Sequence, residues 1–125
     1  MEEITIVKFE ELLDEKKFSD AKNVLKEMNE VDIAELIQEL PENKLIKAFR
    51  ILPKGVASDV FVNMDEDVQK NLITSLTKAE ATNIIEDMFT DDAADLLDEM
   101  PAVMVTKLLS GVSKETRTQI NRLLK

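Results

Sequence analysis

The sequence predicts an all-α fold, a right- or left-handed superhelical solenoid of about ten short helices. The composition favours helices, since the 125 residues include only two Gly and three Pro and contain neither Cys nor His. Apolar residues also recur every twelve positions along almost the whole chain. The series with this spacing is Met28, Leu40, Leu52, Met64, Leu76, Met88, Met100, Val112 and Leu124. So constant a short period is typical of stacked repeats and not of a compact globular bundle.

Each twelve-residue unit is predicted to form one amphipathic helix. Further apolar columns precede the terminal residue of a unit by three, four and seven positions, as Leu25, Val24 and Ala21 precede Met28. Positions i, i+3, i+4 and i+7 form one stripe of an α-helix and cannot form one face of a strand. Because a helix of about three turns is marginal alone, the units are expected to stack against one another, as HEAT and armadillo repeats do.

Taken in chain order, the helices have recognisable ends. The first carries Phe9, Leu12 and Leu13, and Lys16 breaks its apolar column. In the later units, the residue after the terminal apolar position stops one helix or starts the next. These residues are Asn29, Pro41, Pro53, Asp65, Thr77, Pro101 and Ser113, and Thr90 is predicted to cap its unit one position out of phase. Thr77 and Glu80 fit a capping box, and Gly55 and Gly111 predict left-handed caps or tight turns.

The charge and composition exclude several classes of function. Sixteen basic and 26 acidic residues give a net charge of −10, which predicts no nucleic-acid ligand. No stretch approaches the ~18 apolar residues of a membrane span, so the chain is expected to be cytoplasmic, without membrane insertion. Without Cys or His, a thiolate or imidazole metal site and the usual nucleophile–base pairs are absent, and no enzyme is predicted. A small basic patch of Lys44, Lys47, Arg50 and Lys54 is predicted to be a solvated face or a dock for carboxylates.

The acidic residues are concentrated in one part of the chain. No basic residue lies between Lys78 and Lys107. The acidic residues in this interval are Glu80, Glu86, Asp87, Asp91, Asp92, Asp95, Asp98 and Glu99. Asp91, Asp95 and Asp98 or Glu99 are spaced to form a ridge on one helix, where like charges repel. Such a ridge suits Mg²⁺, which is usually held by one or two carboxylates and water, although Ca²⁺ or Mn²⁺ could use the same oxygens. The alternative is a solvated acidic face, with Asp91 and Asp92 favoured by the helix dipole.

Three segments together resemble the N-terminal cytosolic domain of MgtE-type magnesium transporters and channels. They are DIAELIQELP at 32–41, AFRILP at 48–53 and DDAADLLDEMP at 91–101, and the resemblance extends from about Phe9 to Lys125. It implies a single domain over residues 1–125, with the CBS and transmembrane domains of full-length relatives absent from this chain. It also implies a homodimer in which Mg²⁺ bridges carboxylates of this domain and of the CBS domains, holding the pore shut.

The same resemblance orders the candidate metal ligands. Asp91 and Asp95 come first, then Asp92, Asp98 and Glu99, and Asp59 resembles an acidic position that the family uses toward the CBS side. The alternative function is a stand-alone interaction solenoid, related to the helical repeats of flagellar motor switch proteins and without metal sensing. An interaction groove should expose an apolar patch and a mixed rim, whereas the anomaly in this sequence is acidic.

Overall fold

The computed structural model describes residues 3–53 and 55–125, and these residues form ten α-helices and no strand. The helices are α1 (Glu3–Asp14), α2 (Phe18–Lys26), α3 (Glu30–Gln38), α4 (Glu42–Arg50), α5 (Ala57–Val62), α6 (Glu66–Ser75), α7 (Lys78–Asp87), α8 (Thr90–Asp98), α9 (Ala102–Leu109) and α10 (Lys114–Leu123). The all-α prediction is confirmed. The superhelical arrangement stays a prediction. No helix of the described residues is both long and apolar enough to cross a bilayer.

The helix starts keep the twelve-residue phase seen in the sequence. The N-cap residues in this phase are Lys17, Asn29, Pro41, Asp65, Thr77, Phe89, Pro101 and Ser113. Asn29 and Ser113 accept hydrogen bonds from the N–H groups of Asp32 and Thr116, and Thr77 forms the predicted capping box with Glu80. Asp65 occupies its N-cap position, but its side chain accepts no capping hydrogen bond from the backbone of α6.

The prediction that Thr90 caps α8 is wrong. The helix already includes Thr90, and Phe89 takes the extended N-cap conformation with φ −63° and ψ 143°. The phase therefore continues through this unit, although the side chain at the capping position cannot accept a hydrogen bond. The Thr90 hydroxyl instead donates to Oε1 of Gln119 on α10, at 3.3 Å.

The helix after Pro53 is the one that leaves the phase. Its N-cap is Val56, and α5 has only six residues. Gly55 has φ +88°, a left-handed conformation that a right-handed helix cannot include, so the helix starts after it. The predicted left-handed turn at Gly55 is confirmed. Gly111 does not have a positive φ. Glycine is needed there because Thr82 of α7 packs closely against the backbone, and a Cβ at residue 111 would collide with Oγ1 of Thr82.

The chain divides into two compact units, Met1–Met64 and Asp65–Lys125. In the first unit, α1 contacts α2 and α4, and α3 contacts α4 and α5. Phe9, Leu25, Leu36 and Ile37 are almost completely buried. The rings of Phe49 and Phe61 meet edge to face, with centroids 6.4 Å apart. The prediction of a single domain stays a prediction.

In the second unit, helices separated by one other helix lie side by side. α8 contacts α10, and α7 contacts α9. The core of this unit includes Leu72 and Ile73 of α6, Ile85 of α7, Leu97 of α8 and Ile120 of α10. All five belong to the predicted apolar columns. Because these columns lie along one side of each helix, α8 has one buried and one exposed side.

Candidate functional site

The candidate site is the outer face of α8, which we call the α8 ridge: Asp91, Asp92, Asp95, Asp98 and Glu99. The opposite face of this helix is buried through Ala93, Ala94, Leu96 and Leu97. Because helical side chains repeat every 3.6 residues, burial of that face directs the acidic side chains outward. Asp91, Asp95, Asp98 and Glu99 are exposed, and Asp92 is half-buried.

The position of each acid along α8 determines its electrostatic energy. Asp91 and Asp92 lie in the first turn, where the helix dipole stabilises negative charge. Asp98 is the last helical residue and Glu99 is the C-cap, and the last turn contains no basic residue. The helix dipole disfavours negative charge at this end. A bound cation would therefore stabilise the helix most at the C-terminal end of the ridge.

Two ridge acids have partners elsewhere in the second unit. Oδ1 of Asp98 accepts a hydrogen bond from the backbone N–H of Lys125, at 3.0 Å. Oε2 of Glu99 lies 3.8 Å from Nζ of Lys70 on α6, a long ion pair between side chains that are about half and one third exposed. Lys70 also lies 3.9 Å from Oε1 of Glu66. Such pairs contribute little, so most of the charge at Glu99 stays available.

The acids in the N-terminal half of the ridge form fewer hydrogen bonds and ion pairs. Oδ1 of Asp91 accepts a local hydrogen bond from the N–H of Asp92, at 3.1 Å. The Asp95 carboxylate has no hydrogen bond or ion pair with any residue in 3–53 or 55–125. Asp91 and Asp95 stand one helical turn apart, where like charges repel. A bound cation would relieve this repulsion.

The structure does not gather the predicted ligands into a finished metal site. Within the described ranges, no three acidic side chains are placed to hold one metal ion. Asp59 lies on α5 in the first unit, whereas the five acids of the α8 ridge lie in the second. Since Mg²⁺ is commonly held by one or two protein carboxylates, the ridge offers single ligands, with further ligands to come from water or a partner.

Two acids of the same sequence interval have a structural role. The role of Glu80 was predicted from the sequence, whereas that of Glu86 was missed. Glu80 completes the capping box of α7 by accepting from the N–H of Thr77, at 2.9 Å. Glu86, at the end of α7, accepts hydrogen bonds from the backbone N–H and hydroxyl of Ser113 and from the hydroxyl of Thr116, the last at 2.8 Å. These acids belong to helix starts and not to the ridge.

The environment of Glu86 also changes its acidity. The hydrogen bond from the Ser113 N–H is the main cause, followed by that from the Thr116 hydroxyl, and together they hold the pKa of the Glu86 carboxyl below its ordinary value. Burial of the carboxyl opposes this shift more weakly. Nothing in the local sequence could have revealed the contact, because its partners lie 27 and 30 residues away.

The predicted basic patch is partly neutralised. Nζ of Lys44 on α4 lies 2.5 Å from Oε2 of Glu10 and 3.1 Å from Asp14, both on α1. These hydrogen bonds raise the pKa of the Lys44 ammonium group. Lys54 lies outside the described residues. Because Lys44 already binds two carboxylates of its own chain, it serves the packing of α4 on α1.

Comparison with known families supplies an independent finding. The family model described as the MgtE intracellular N domain matches residues 28–125. This range includes α3–α10 and therefore both Asp59 and the α8 ridge. A search of curated protein sequences finds no match to the chain.

Proposed function

Because the chain belongs to the family of MgtE intracellular N domains, we propose that it is the cytosolic regulatory domain of a magnesium channel or transporter. The N domain of this family is a transporter domain and not a known enzyme family. In this proposal the domain senses Mg²⁺ and catalyses nothing. The family match over residues 28–125 is the observation that carries the proposal.

The proposed mechanism uses the α8 ridge and Asp59 as partial metal sites. Asp91 and Asp95 supply exposed carboxylates from a rigid helix, and the CBS domains of the same or a sister chain supply the remaining ligands. At high Mg²⁺, the shared ions hold the domains together and stabilise the closed state of a homodimeric transporter. At low Mg²⁺, the unscreened carboxylates repel the partner surface and the domain separates.

The electrostatics of α8 support this proposal. A site that needs two surfaces binds weakly until the surfaces meet, which suits a sensor of an ion that is abundant in cells. The repulsion between Asp91 and Asp95, and the disfavoured charge at Asp98 and Glu99, are both relieved by a bound divalent cation.

The test is an NMR titration of the ¹⁵N-labelled domain with Mg²⁺ up to roughly 20 mM at constant ionic strength. The titration is run alone and again with a purified CBS-domain pair of an MgtE-type transporter. We expect saturable shifts confined to residues 91–99 and the surroundings of Asp59, stronger when the CBS pair is present.

Two double variants, each of which removes two carboxylate charges, serve as the test and the control. Asp91→Asn with Asp95→Asn should abolish the shifts at 91–99, whereas Asp32→Asn with Glu35→Gln on α3 should leave them unchanged. Uniform, non-saturating shifts both with and without the CBS pair would contradict metal sensing and favour the stand-alone interaction module.

A further inference from the structure

Phe89 is unusual for its position at the start of α8. Six of the seven other N-caps in the same phase, among the described residues, are residues favoured at helix starts or prolines, and the seventh, Lys17, is charged. The six are Asn29, Pro41, Asp65, Thr77, Pro101 and Ser113. Phe89 offers no acceptor to the first N–H groups of α8, and its side chain is 78% exposed. An aromatic ring that weakens a helix start and faces water serves neither stability nor solubility.

Carboxylates surround this ring along the chain. Asp87 ends α7, and Asp91 and Asp92 lie in the first turn of α8, all within three residues of Phe89. Asp87 and Asp91 are exposed, and Asp92 is half-buried. None of the three forms an ion pair with Lys or Arg in the described part of the chain. The surface thus combines a large apolar group with uncompensated negative charge.

We propose that Phe89, Asp87, Asp91 and Asp92 form a docking surface for a basic amphipathic segment of a partner protein. Apolar side chains of that segment cover the Phe89 ring, and its Lys or Arg side chains pair with the three carboxylates. Aromatic side chains are enriched in interfaces and are surrounded there by a polar rim, and Arg can in addition stack on the ring.

The negative charge of the chain favours a basic partner over the other possible partners. A second copy of the chain carries a net charge of −10 and would be repelled, as would nucleic acid or an anionic membrane. The docking needs no metal ion, so it goes beyond the proposed magnesium function and is measured in the presence of EDTA. Failure of metal sensing would leave this measurement unaffected.

The experiment uses two synthetic fluorescent peptides as probes. One consists of Lys-Leu-Leu-Lys repeats, and the other of Lys-Ser-Ser-Lys repeats with the same charge. Their binding to the intact chain is measured by fluorescence anisotropy at about 0.15 M salt. We expect Phe89→Ser to weaken binding of the leucine peptide about fivefold or more and to leave binding of the serine peptide unchanged.

The matched control is Val103→Ser on α9, which removes another apolar side chain, 83% exposed, from the second unit. This variant should bind both peptides as the parent chain does. Phe89→Ser should also raise the melting temperature, because serine is a good N-cap, so weaker binding cannot come from unfolding. Equal affinity of the parent chain and Phe89→Ser for the leucine peptide, or an equal loss in Val103→Ser, would overturn the proposal.

Discussion

The carboxylate of Glu86 accepts a hydrogen bond from the backbone N–H of Ser113, which joins the end of α7 to the start of α10. Ser113 is itself the N-cap of α10, and its hydroxyl accepts from the N–H of Thr116. The helix start therefore has one acceptor from its own sequence and one from a helix 27 residues earlier. This arrangement stabilises an otherwise very polar terminal helix.

We predict that Glu86→Gln lowers the free energy of unfolding by about 1 kcal/mol, because a charged acceptor is replaced by a neutral one. The neighbouring Asp87 is exposed and has no partner among the described residues, so Asp87→Asn should change stability by less than about 0.5 kcal/mol. Urea denaturation of both variants at neutral pH measures the difference. Equal stabilities would show that the Glu86 contact is not stabilising.

The same contact predicts a pH dependence. The pKa of Glu86 is lowered in the folded state from an ordinary value of 4.5. Its stabilisation is therefore complete above about pH 4.5 and is lost as the pH falls through the lowered folded-state pKa. The stability difference between the parent chain and Glu86→Gln should shrink over this acidic range. A difference that stays constant down to about pH 3 would contradict the assignment.

We predict that Lys16→Gly stabilises the chain by about 1 kcal/mol. Lys16 follows α1 with φ 58°, and the N–H groups of Lys16 and Lys17 donate to the carbonyls of Leu13 and Leu12. This is a Schellman motif, whose left-handed position favours glycine because a side chain there is strained. Lys22 is exposed and lies inside α2, so Lys22→Gly should destabilise. Thermal denaturation of the two variants should show shifts of opposite sign.

We predict that Gly111→Ala costs about 1–2 kcal/mol, since its Cβ would overlap Oγ1 of Thr82 and force the two segments apart. Thr82→Ala removes that oxygen and should restore part of the loss in the double variant. Only partial recovery is expected, because Cβ of residue 82 would still lie 3.3 Å away. Gly55→Ala is strained by its positive φ in open space, so Thr82→Ala should not rescue it. A double-variant cycle in urea measures both interaction energies.

We predict that Asp95→Asn raises stability by a few tenths of a kcal/mol, because it removes the repulsion with Asp91 one turn earlier. The gain should disappear in about 1 M NaCl, where exposed charges are screened. Asp59→Asn on α5 is the control, since that residue has no acidic neighbour three or four positions away. A gain for Asp95→Asn that is independent of salt would mean that packing, and not charge, is responsible.

Local periodicity was sufficient to predict the all-α class, most helix positions and the buried faces of the helices. The columns ending at Leu40 and Leu76 placed the buried faces of their helices, and the N-caps Asn29, Thr77 and Ser113 were recognisable because their acceptors lie three residues from the donors. The prediction failed at Phe89, because the spacing fixes where a helix starts even when the residue is a poor cap.

The candidate site was less predictable, because its contacts span long distances in sequence. The exposure of Asp91 and Asp95 follows from the helical period alone. The pairing of Glu99 with Lys70 and the use of Glu86 at Ser113 depend on how separate helices pack, and no short motif encodes them. The metal ligands themselves stay predictions until the titration is done.

The short helix α5 has a consequence for how this chain can vary. Gly55 delays the start of α5, yet the next N-cap, Asp65, stands in the same phase as Asn29 and Pro41 before it. The residues lost from the helix are retained in the loop before it, so the length of the unit is unchanged. Related sequences with this architecture should therefore differ by substitutions within a unit and not by insertions or deletions of single residues. An insertion or deletion that survives selection should span a whole unit, in the manner of gene segment duplication.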